Sequence, residues 1–339
     1  MKDIKDQFSD VIITLVVPVF NEEQVLPLLV KEIQAFCKAR PETIRVLFVD
    51  DGSTDSSAAL IQSLTGLMAG VKLIRFSRNF GHQLAVTAGL HRVEADSDAA
   101  IVMDSDLQDP LSVCGEMIDT WKSGYDVVYG IRRKRAGVSI FTRVMYRIYY
   151  RMFSGLSETG APENAGDFRL LSARVIEAYK EFGEQQPYVR GLIAWLGFNQ
   201  TGIEYSRPAR AAGHSKYTWS QLFQLGFDGI TSFSGKPLQY SVKVGLLISA
   251  LSILGLFWAL FEKFVLHTDL PGWASLVFIG FFFGGLQLFF LGIVGSYVAR
   301  VYEEVKGRPR FIIQQVWESG EGSNSRESEY HSHINSGSE

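Results

Sequence analysis

The chain of 339 residues predicts a doubly wound α/β domain followed by a two-helix transmembrane hairpin, and three observations carry that prediction. Apolar strand-like runs alternate with helical patterns from Val11 to Gly130. Polar clusters stand at the carboxyl ends of those runs, where open α/β sheets bind their ligands. Near the C-terminus, Val244 to Phe261 and Ala274 to Val298 are long, apolar and uncharged.

The elements follow in order. VIITLVVP, IRVLFVD, VKLIRFS, AAIVMD and DVVYG read as strands, several apolar on both faces as a parallel sheet requires. Between the first two, Val25, Leu28, Leu29, Ile33 and Phe36 recur at helical spacing, and similar patterns follow Asp55, Gln83 and Leu111. Asp51-Gly52 is a turn, after which Ser53, Thr54 or Asp55 is expected to cap a helix. Asp109 before Pro110 reads as an N-cap with proline at the first helical position. That leaves Asp104 and Asp106, two residues apart at a strand's end, without a structural task. Paired carboxylates so placed form a hard-oxygen claw for Mg²⁺ or Mn²⁺, and such an ion can grip a nucleotide diphosphate.

The formal charge of −3 provides no basic excess for nucleic acid. Locally the picture differs: Arg132, Arg133, Lys134, Arg135, Arg143, Arg147 and Arg151 follow one another with no acidic residue among them, so an anionic partner is expected there. Cys37 and Cys114 lie in apolar helical patterns and fit a reducing compartment. The first residues, MKDIKDQFSD, lack the layout of a signal peptide. At about 1.5 Å per residue both apolar segments can cross a core of roughly 30 Å. Lys236 and Lys243 precede the pair and Arg300, Lys306, Arg308 and Arg310 follow it, which places both termini and the α/β domain in the cytoplasm, at the cell (inner) membrane. Two amphipathic stretches, VSIFTRVMYRIYYRMF and TWSQLFQLGFDGITSF, suit either the bilayer interface or the protein's own core. From Glu318 onward the composition is that of a disordered tail.

With this hairpin, the motifs VVPVFNEE, VDDGSTD, RNFGH, DSDLQDP, GDFRLLS, RGLIAWLGF, RAAGHSKY, GITSFSGKPL and YEEVKGRPRFI resemble the polyisoprenyl-phosphate glycosyltransferases of glycosyltransferase family 2, with the GT-A fold, and especially the bactoprenol glucosyltransferases. The resemblance implies that Pro18, Phe20, Asn21 and Glu22 line a nucleotide pocket, although Asn21 and Glu22 could also begin the following helix. It implies that Asp51 accepts the base's imide N–H. Asp104, Ser105 and Asp106 would meet the nucleotide sugar, with Asp104, Asp106 and the Gln108 amide oxygen at the metal. Arg132, Arg210 and Lys216 correspond to sugar-nucleotide and diphosphate contacts. Asp167 and Arg169 would hold the acceptor side or form a structural salt bridge. His82 reads equally as a ligand or a structural histidine.

The basic cluster then has a task, since Arg135 with Arg143 or Arg147 could clamp a lipid phosphate at headgroup depth. The expected reaction is inverting, metal-dependent transfer of a hexose, glucose from UDP-glucose first among donors, to undecaprenyl (polyprenyl) phosphate. N-acetylglucosamine or an aminoarabinose derivative is the rival donor, and a non-enzymatic membrane scaffold or lipid transporter the rival class. A phosphate monoester is mostly dianionic at neutral pH, so Asp106 or Asp109 could assist without having to remove a proton. The expected divisions are a nucleotide-sugar core over 1–137, an acceptor half with interfacial helices over 138–235, the transmembrane pair over 236–302, a cytosolic segment over 303–317 and the tail over 318–339. Similar enzymes can associate through their membrane segments, so a homo-oligomer is compatible with this reading.

Overall fold

The computed structural model describes residues 11–66, 68–132, 165–206, 236–264 and 272–319. Every run read as a strand forms one: β1 (Ile12–Val19), β2 (Thr43–Asp50), β3 (Val71–Phe76), β4 (Ala99–Val102) and β5 (Val127–Arg132). They alternate with α1 (Leu26–Ala39), α2 (Ser57–Thr65), α3 (His82–His91) and α4 (Leu111–Lys122). Then come β6 (Ala165–Ser172), α5 (Ala173–Lys180), α6 (Val189–Trp195) and β7 (Gln200–Tyr205). The two long helices are α7 (Lys236–Phe264) and α8 (Trp273–Val305), and β8 (Ile313–Glu318) follows them.

One sheet of eight strands holds β1 to β8 in the order β7-β5-β6-β4-β1-β2-β3-β8. It is mixed, not wholly parallel: β6 runs antiparallel to β4 and β5, and β8 antiparallel to β3. Ile13, Leu15 and Val17 of the central strand pack with Leu26, Leu29 and Ile33 of α1 and with Cys114, Met117 and Ile118 of α4. On the other face α3 buries Ala85 and Ala88 against Leu47 and Val49. Pro18 stands inside this central strand without breaking it. Val16 accepts the Met103 N–H, so the even-numbered residues of β1 face β4, and β4 stops opposite Val16. The missing donor of Pro18 therefore falls beyond the end of the neighbouring strand.

β6 and β7, placed in a separate acceptor half, belong to the same sheet as β1 to β5, because β6 inserts between β4 and β5. Glu318 is in β8, and Ser319 both donates its N–H to the Val71 carbonyl (2.9 Å) and accepts the Val71 N–H through Oγ (3.1 Å).

Two compact units result, one made of the sheet and its helices together with the segment from Arg308, the other containing α7 and α8. Both long helices outrun the apolar windows read from the sequence. Leu251, Phe257, Leu276, Phe281, Leu288 and Phe289 are exposed along them, Phe281 at 80%. A core helix of a soluble protein would bury such side chains. Helices this apolar at their surface are long enough to cross a membrane. The two amphipathic stretches lie outside the described residues, as do Arg135, Arg143, Arg147, Arg210 and Lys216.

Candidate active site

The carboxyl ends of β1 and β2 are laced together. Asn21, at φ +56°, donates its N–H to Ser53 Oγ (3.0 Å) and accepts the Thr54 N–H at Oδ1 (2.9 Å). Glu22 donates its N–H to Ser57 Oγ (2.9 Å), and its carbonyl takes the N–H groups of Val25 and Leu26 at the foot of α1. Asp55 accepts the Ser57 N–H (2.9 Å), but the cap position of α2 falls on Ser56, one residue beyond the triplet expected to supply it. Phe20 stands between these loops and solvent, 44% exposed.

Asp51 does something the sequence reading did not assign to it. Its Oδ1 accepts the Phe80 N–H (2.7 Å) and its Oδ2 the Gly81 N–H (2.9 Å), with the residue itself almost wholly buried. Each oxygen thus helps hold the loop after β3, and each keeps a lone pair for a further donor such as the expected base. Burial raises the Asp51 pKa against the pull of those two bonds. Gly52, at φ +68°, lets the loops touch, since a Cβ there would lie 2.3 Å from the Arg78 carbonyl carbon. Asp50 is equally occupied, paired with Arg75 Nε at 3.1 Å.

The loop after β4 brings the predicted claw to the same edge. Asp104 and Asp106 are partly exposed, whereas Ser105, Gln108 and Asp109 are buried. Leu107 between them takes φ +58°, a left-handed conformation costing roughly 1–2 kcal/mol for a bulky side chain. Its side chain packs on the core, and the Gln108 N–H bonds Asp106 Oδ1 (3.1 Å), which hold the turn.

Asp109 is not the helix cap it was read as. Pro110 occupies the cap position of α4, and Asp109 turns inward to accept the Tyr205 hydroxyl at Oδ1 (2.7 Å) and the Asp104 N–H at Oδ2 (3.2 Å). Local sequence signals a cap; a tyrosine at the end of β7 outbids it. Tyr205 also hydrogen-bonds the Arg132 guanidinium. Burial would lower the Arg132 pKa, but Tyr205, Asp109 and Asp104 raise it overall, so the charge is held beside the carboxylates. Room for it comes from Gly166, where a Cβ would lie 2.7 Å from Arg132 Nη2.

A second constellation faces the first. His82 Nε2 lies 3.7 Å from Asp104 Oδ1 and 3.5 Å from Asp167 Oδ2, and Arg190 Nε lies 3.1 Å from Asp167 Oδ1. Gln83 donates Nε2 to Asp167 Oδ2 (3.1 Å) and accepts the Val189 N–H at Oε1 (3.0 Å), tying the start of α6 to the site. Burial alone would raise the Asp167 pKa, but His82, Arg190 and Arg169 hold it well below the usual carboxylate range. Arg169, expected on the acceptor side or in a structural salt bridge, is buried and donates Nη2 to the Gly166 carbonyl (2.7 Å). It props the site from behind. Tyr205, Gly166, Gln83 and Arg190 were not singled out from the sequence. Arg190 had a signal, as the leading residue of RGLIAWLGF; the others are joined to the site only by tertiary contact.

The donor set fits a hard divalent cation. Burial, then Asp109, Asp106 and Asp167, push the Asp104 pKa up to about 6, with His82 opposing, so negative charge is crowded where a cation would relieve it. Among the described residues no group of three or more His, Cys, Asp or Glu side chains is set to hold an ion unaided. Two carboxylates of the claw would need oxygens from a bound diphosphate to complete a shell.

Comparison with known proteins follows the same outline. Residues 14–180 match the family described as Glycosyl transferase family 2. An uncharacterized glycosyltransferase of Bacillus subtilis, YkcC, is 41% identical over 90% of this chain and 94% of its own length. The bactoprenol glucosyl transferase of Shigella phage SfII is 37% identical over 89% and 97%. The prophage bactoprenol glucosyl transferase homolog of Escherichia coli is 34% identical over 90% and 99%. Among solved structures, the glucosyl-3-phosphoglycerate synthase of Mycobacterium tuberculosis with UDP is 15% identical, covering 68% of this chain and 81% of its own at a TM-score of 0.47. With its mixed GT-A sheet and the Asp51, Asp104 and Arg132 loops gathered at one edge, the chain belongs to glycosyltransferase family 2 and is a glycosyltransferase.

Proposed function

We propose that this enzyme transfers a hexose, with glucose from UDP-glucose the favoured donor, to a polyprenyl phosphate at the cytosolic face of the membrane, inverting the anomeric centre. One observation carries the reading: the Asp104–Asp109 turn and Arg132 meet at the binding edge of a family 2 sheet, in a chain with two exposed membrane-length helices. Relatives named as bactoprenol glucosyl transferases support the lipid acceptor.

Asp104 and Asp106 would hold Mg²⁺ or Mn²⁺, with the Gln108 amide as the further candidate ligand; bound there, the ion neutralises charge on the departing diphosphate. The chain's own residues do the rest. Arg132, fixed by Tyr205 and beside Asp109, holds a cation where the sugar diphosphate enters. Phe20, Asn21 and Glu22 line the nucleotide side of the edge. A phosphate oxygen of the acceptor forms the new bond to the anomeric carbon while the bond to UDP breaks and its electron pair leaves with UDP. The acceptor is mostly a dianion at neutral pH, so no proton has to be removed and Asp109 serves as a positioning group. Arg135, Arg143 and Arg147 are proposed to clamp the acceptor phosphate, and Arg210 and Lys216 the diphosphate.

The test is UDP release by the purified full chain given UDP-glucose, Mg²⁺ and undecaprenyl phosphate, with extraction of a glycolipid. Asp104→Asn and Asp106→Asn should each abolish it. Near-normal turnover in either variant sinks the metal assignment, and no release with any common UDP-sugar sinks the reaction. Product formed only from another donor, such as UDP-N-acetylglucosamine, would keep the chemistry and replace the sugar.

A further inference from the structure

Asp167 gathers more donors than the reaction as described uses. Arg190 Nε lies 3.1 Å from its Oδ1, while Gln83 Nε2 and His82 Nε2 lie 3.1 and 3.5 Å from its Oδ2. Arg169, two residues along β6, is 4% exposed, and its Nε has no hydrogen-bond partner among the described residues. Burial lowers the Arg169 pKa to about 10 against the pull of Asp167, and the charge of Arg190 lowers it further. One carboxylate is thus shared between two guanidiniums that repel each other, and an anion arriving beside Arg190 would relieve that repulsion. All of these side chains belong to the sheet-bearing unit.

Exposure decides which of them a ligand can reach. The side chains of Arg190 and His82 are 32% and 43% exposed, whereas that of Asp167 is 13% exposed. Arg190 is steadied from two further sides: its guanidinium lies 5.4 Å from the Tyr188 ring centroid, and the neighbouring Val189 donates its N–H to Gln83 Oε1 (3.0 Å). A planar cation held in this way presents a fork of N–H donors that fits two oxygens of a phosphate. His82 sets the order of the groups, since its Nε2 lies 3.7 Å from Asp104 Oδ1 and so stands between the acidic turn and the Asp167–Arg190 pair. Displacement at an anomeric carbon needs the departing and arriving phosphates on opposite sides of it, each with its own countercharge. The turn and Arg132 serve the departing diphosphate; Arg190 lies beyond His82.

We propose that Arg190, seated by Asp167 and Gln83, holds the phosphate of the lipid acceptor. The inference deepens the lipid-acceptor reading above and rests on it. Two terminal oxygens of the phosphate bond the guanidinium while the third forms the bond to the anomeric carbon, and the electron pair of the broken bond leaves with UDP. No proton moves. The product is a phosphodiester with one negative charge, where the acceptor carried mostly two, so Arg190 holds the product less tightly than the substrate. Asp167 and Gln83 are positioning residues here, acting through Arg190.

The experiment uses the full chain in detergent, with geranyl phosphate as a water-soluble acceptor and UDP release as the readout. Arg190→Gln should raise KM for geranyl phosphate about tenfold or more, while calorimetric UDP affinity in Mg²⁺ stays within about twofold of the parent. Arg190→Lys keeps the charge without the planar fork, and should raise KM about threefold. A second readout needs no substitution: phenylglyoxal modification of Arg190 in the UDP-saturated parent, followed by mass spectrometry, should slow about fivefold or more when geranyl phosphate is added. If Arg190→Gln does not fold, the lysine variant and the modification decide. An unchanged acceptor KM, or modification that geranyl phosphate does not slow, overturns the site while leaving the lipid-acceptor reading intact. A fall in UDP affinity of about tenfold or more also overturns it, by placing Arg190 on the donor. A parent chain that releases UDP to neither geranyl nor undecaprenyl phosphate overturns the lipid-acceptor reading, and this site with it.

Discussion

Replacing Asp51 by Asn separates two accounts of the VDDGSTD motif. In the structure each carboxylate oxygen accepts one backbone N–H, from Phe80 at 2.7 Å and Gly81 at 2.9 Å. Asparagine keeps one acceptor and turns an NH₂ toward the other N–H. A hydrogen bond to a charged group contributes about 1.5–3 kcal/mol, and a buried donor left facing a donor costs about 1–3 kcal/mol more. Relief offsets part of this, because burial already raises the Asp51 pKa and the neutral amide escapes that penalty. The net expectation is a loss of about 2 kcal/mol, a fall in Tm of about 5 °C for a domain of this size. His82, two residues beyond Phe80, should lose its place between Asp104 and Asp167, lowering turnover as well. Thermal unfolding of the full chain in detergent, run beside calorimetric titration with UDP, distinguishes the accounts. If UDP affinity drops more than about tenfold with an unchanged midpoint, the carboxylate serves the base and the loop-anchor argument is wrong.

Tyr205→Phe removes the hydroxyl donated to Asp109, and should cost about 1–3 kcal/mol in urea unfolding together with a fall in turnover. Gly166→Ala should leave the fold within about 1 kcal/mol, since its Cβ meets the flexible end of Arg132, yet cut kcat by displacing that guanidinium; unchanged kcat would remove Arg132 from the site. Gly89→Ala places a Cβ 2.3 Å from Val16 Cγ1 where α3 crosses the central strand, and should destabilise by about 1–3 kcal/mol with unaltered KM. His91 has its pKa lowered to about 4, by burial first and then by Arg310, Lys180 and Arg92. The unfolded chain therefore takes up this proton first, and stability falls as pH drops from about 6.5 to about 4. The half-buried position discounts the effect to about 1–2 kcal/mol, and His91→Gln should flatten the melting-temperature profile over that window.

Particular residues show how far the fold and the site could be read in advance. The five runs read as strands are buried on one or both faces, so composition and period report them directly. GDFRLLS was read for chemistry and not as a strand, because Asp167 and Arg169 look solvated until partners from α3 and α6 surround them. QTGIEY and IQQVWE are half-exposed strands near the sheet's two ends, where pairing and not burial makes the strand. The DP signature of a helix start misled for a related reason. The Tyr205 hydroxyl lies 96 residues away in sequence, and it holds the Asp109 carboxylate inside.

What the chain determined by local order alone is its alternation of strands and helices, the acidic pair after β4 and the two membrane-length helices. Each depends on neighbours within a few residues, through backbone period, turn chemistry and hydrophobic length. Tertiary structure decided which aspartate does what: Asp51 anchors a loop, Asp109 supports a turn, Asp167 anchors a histidine and an arginine, and Asp104 and Asp106 remain partly open to solvent. A carboxylate's role follows from its burial and from the donors around it, and those donors come from strands and helices distant in sequence.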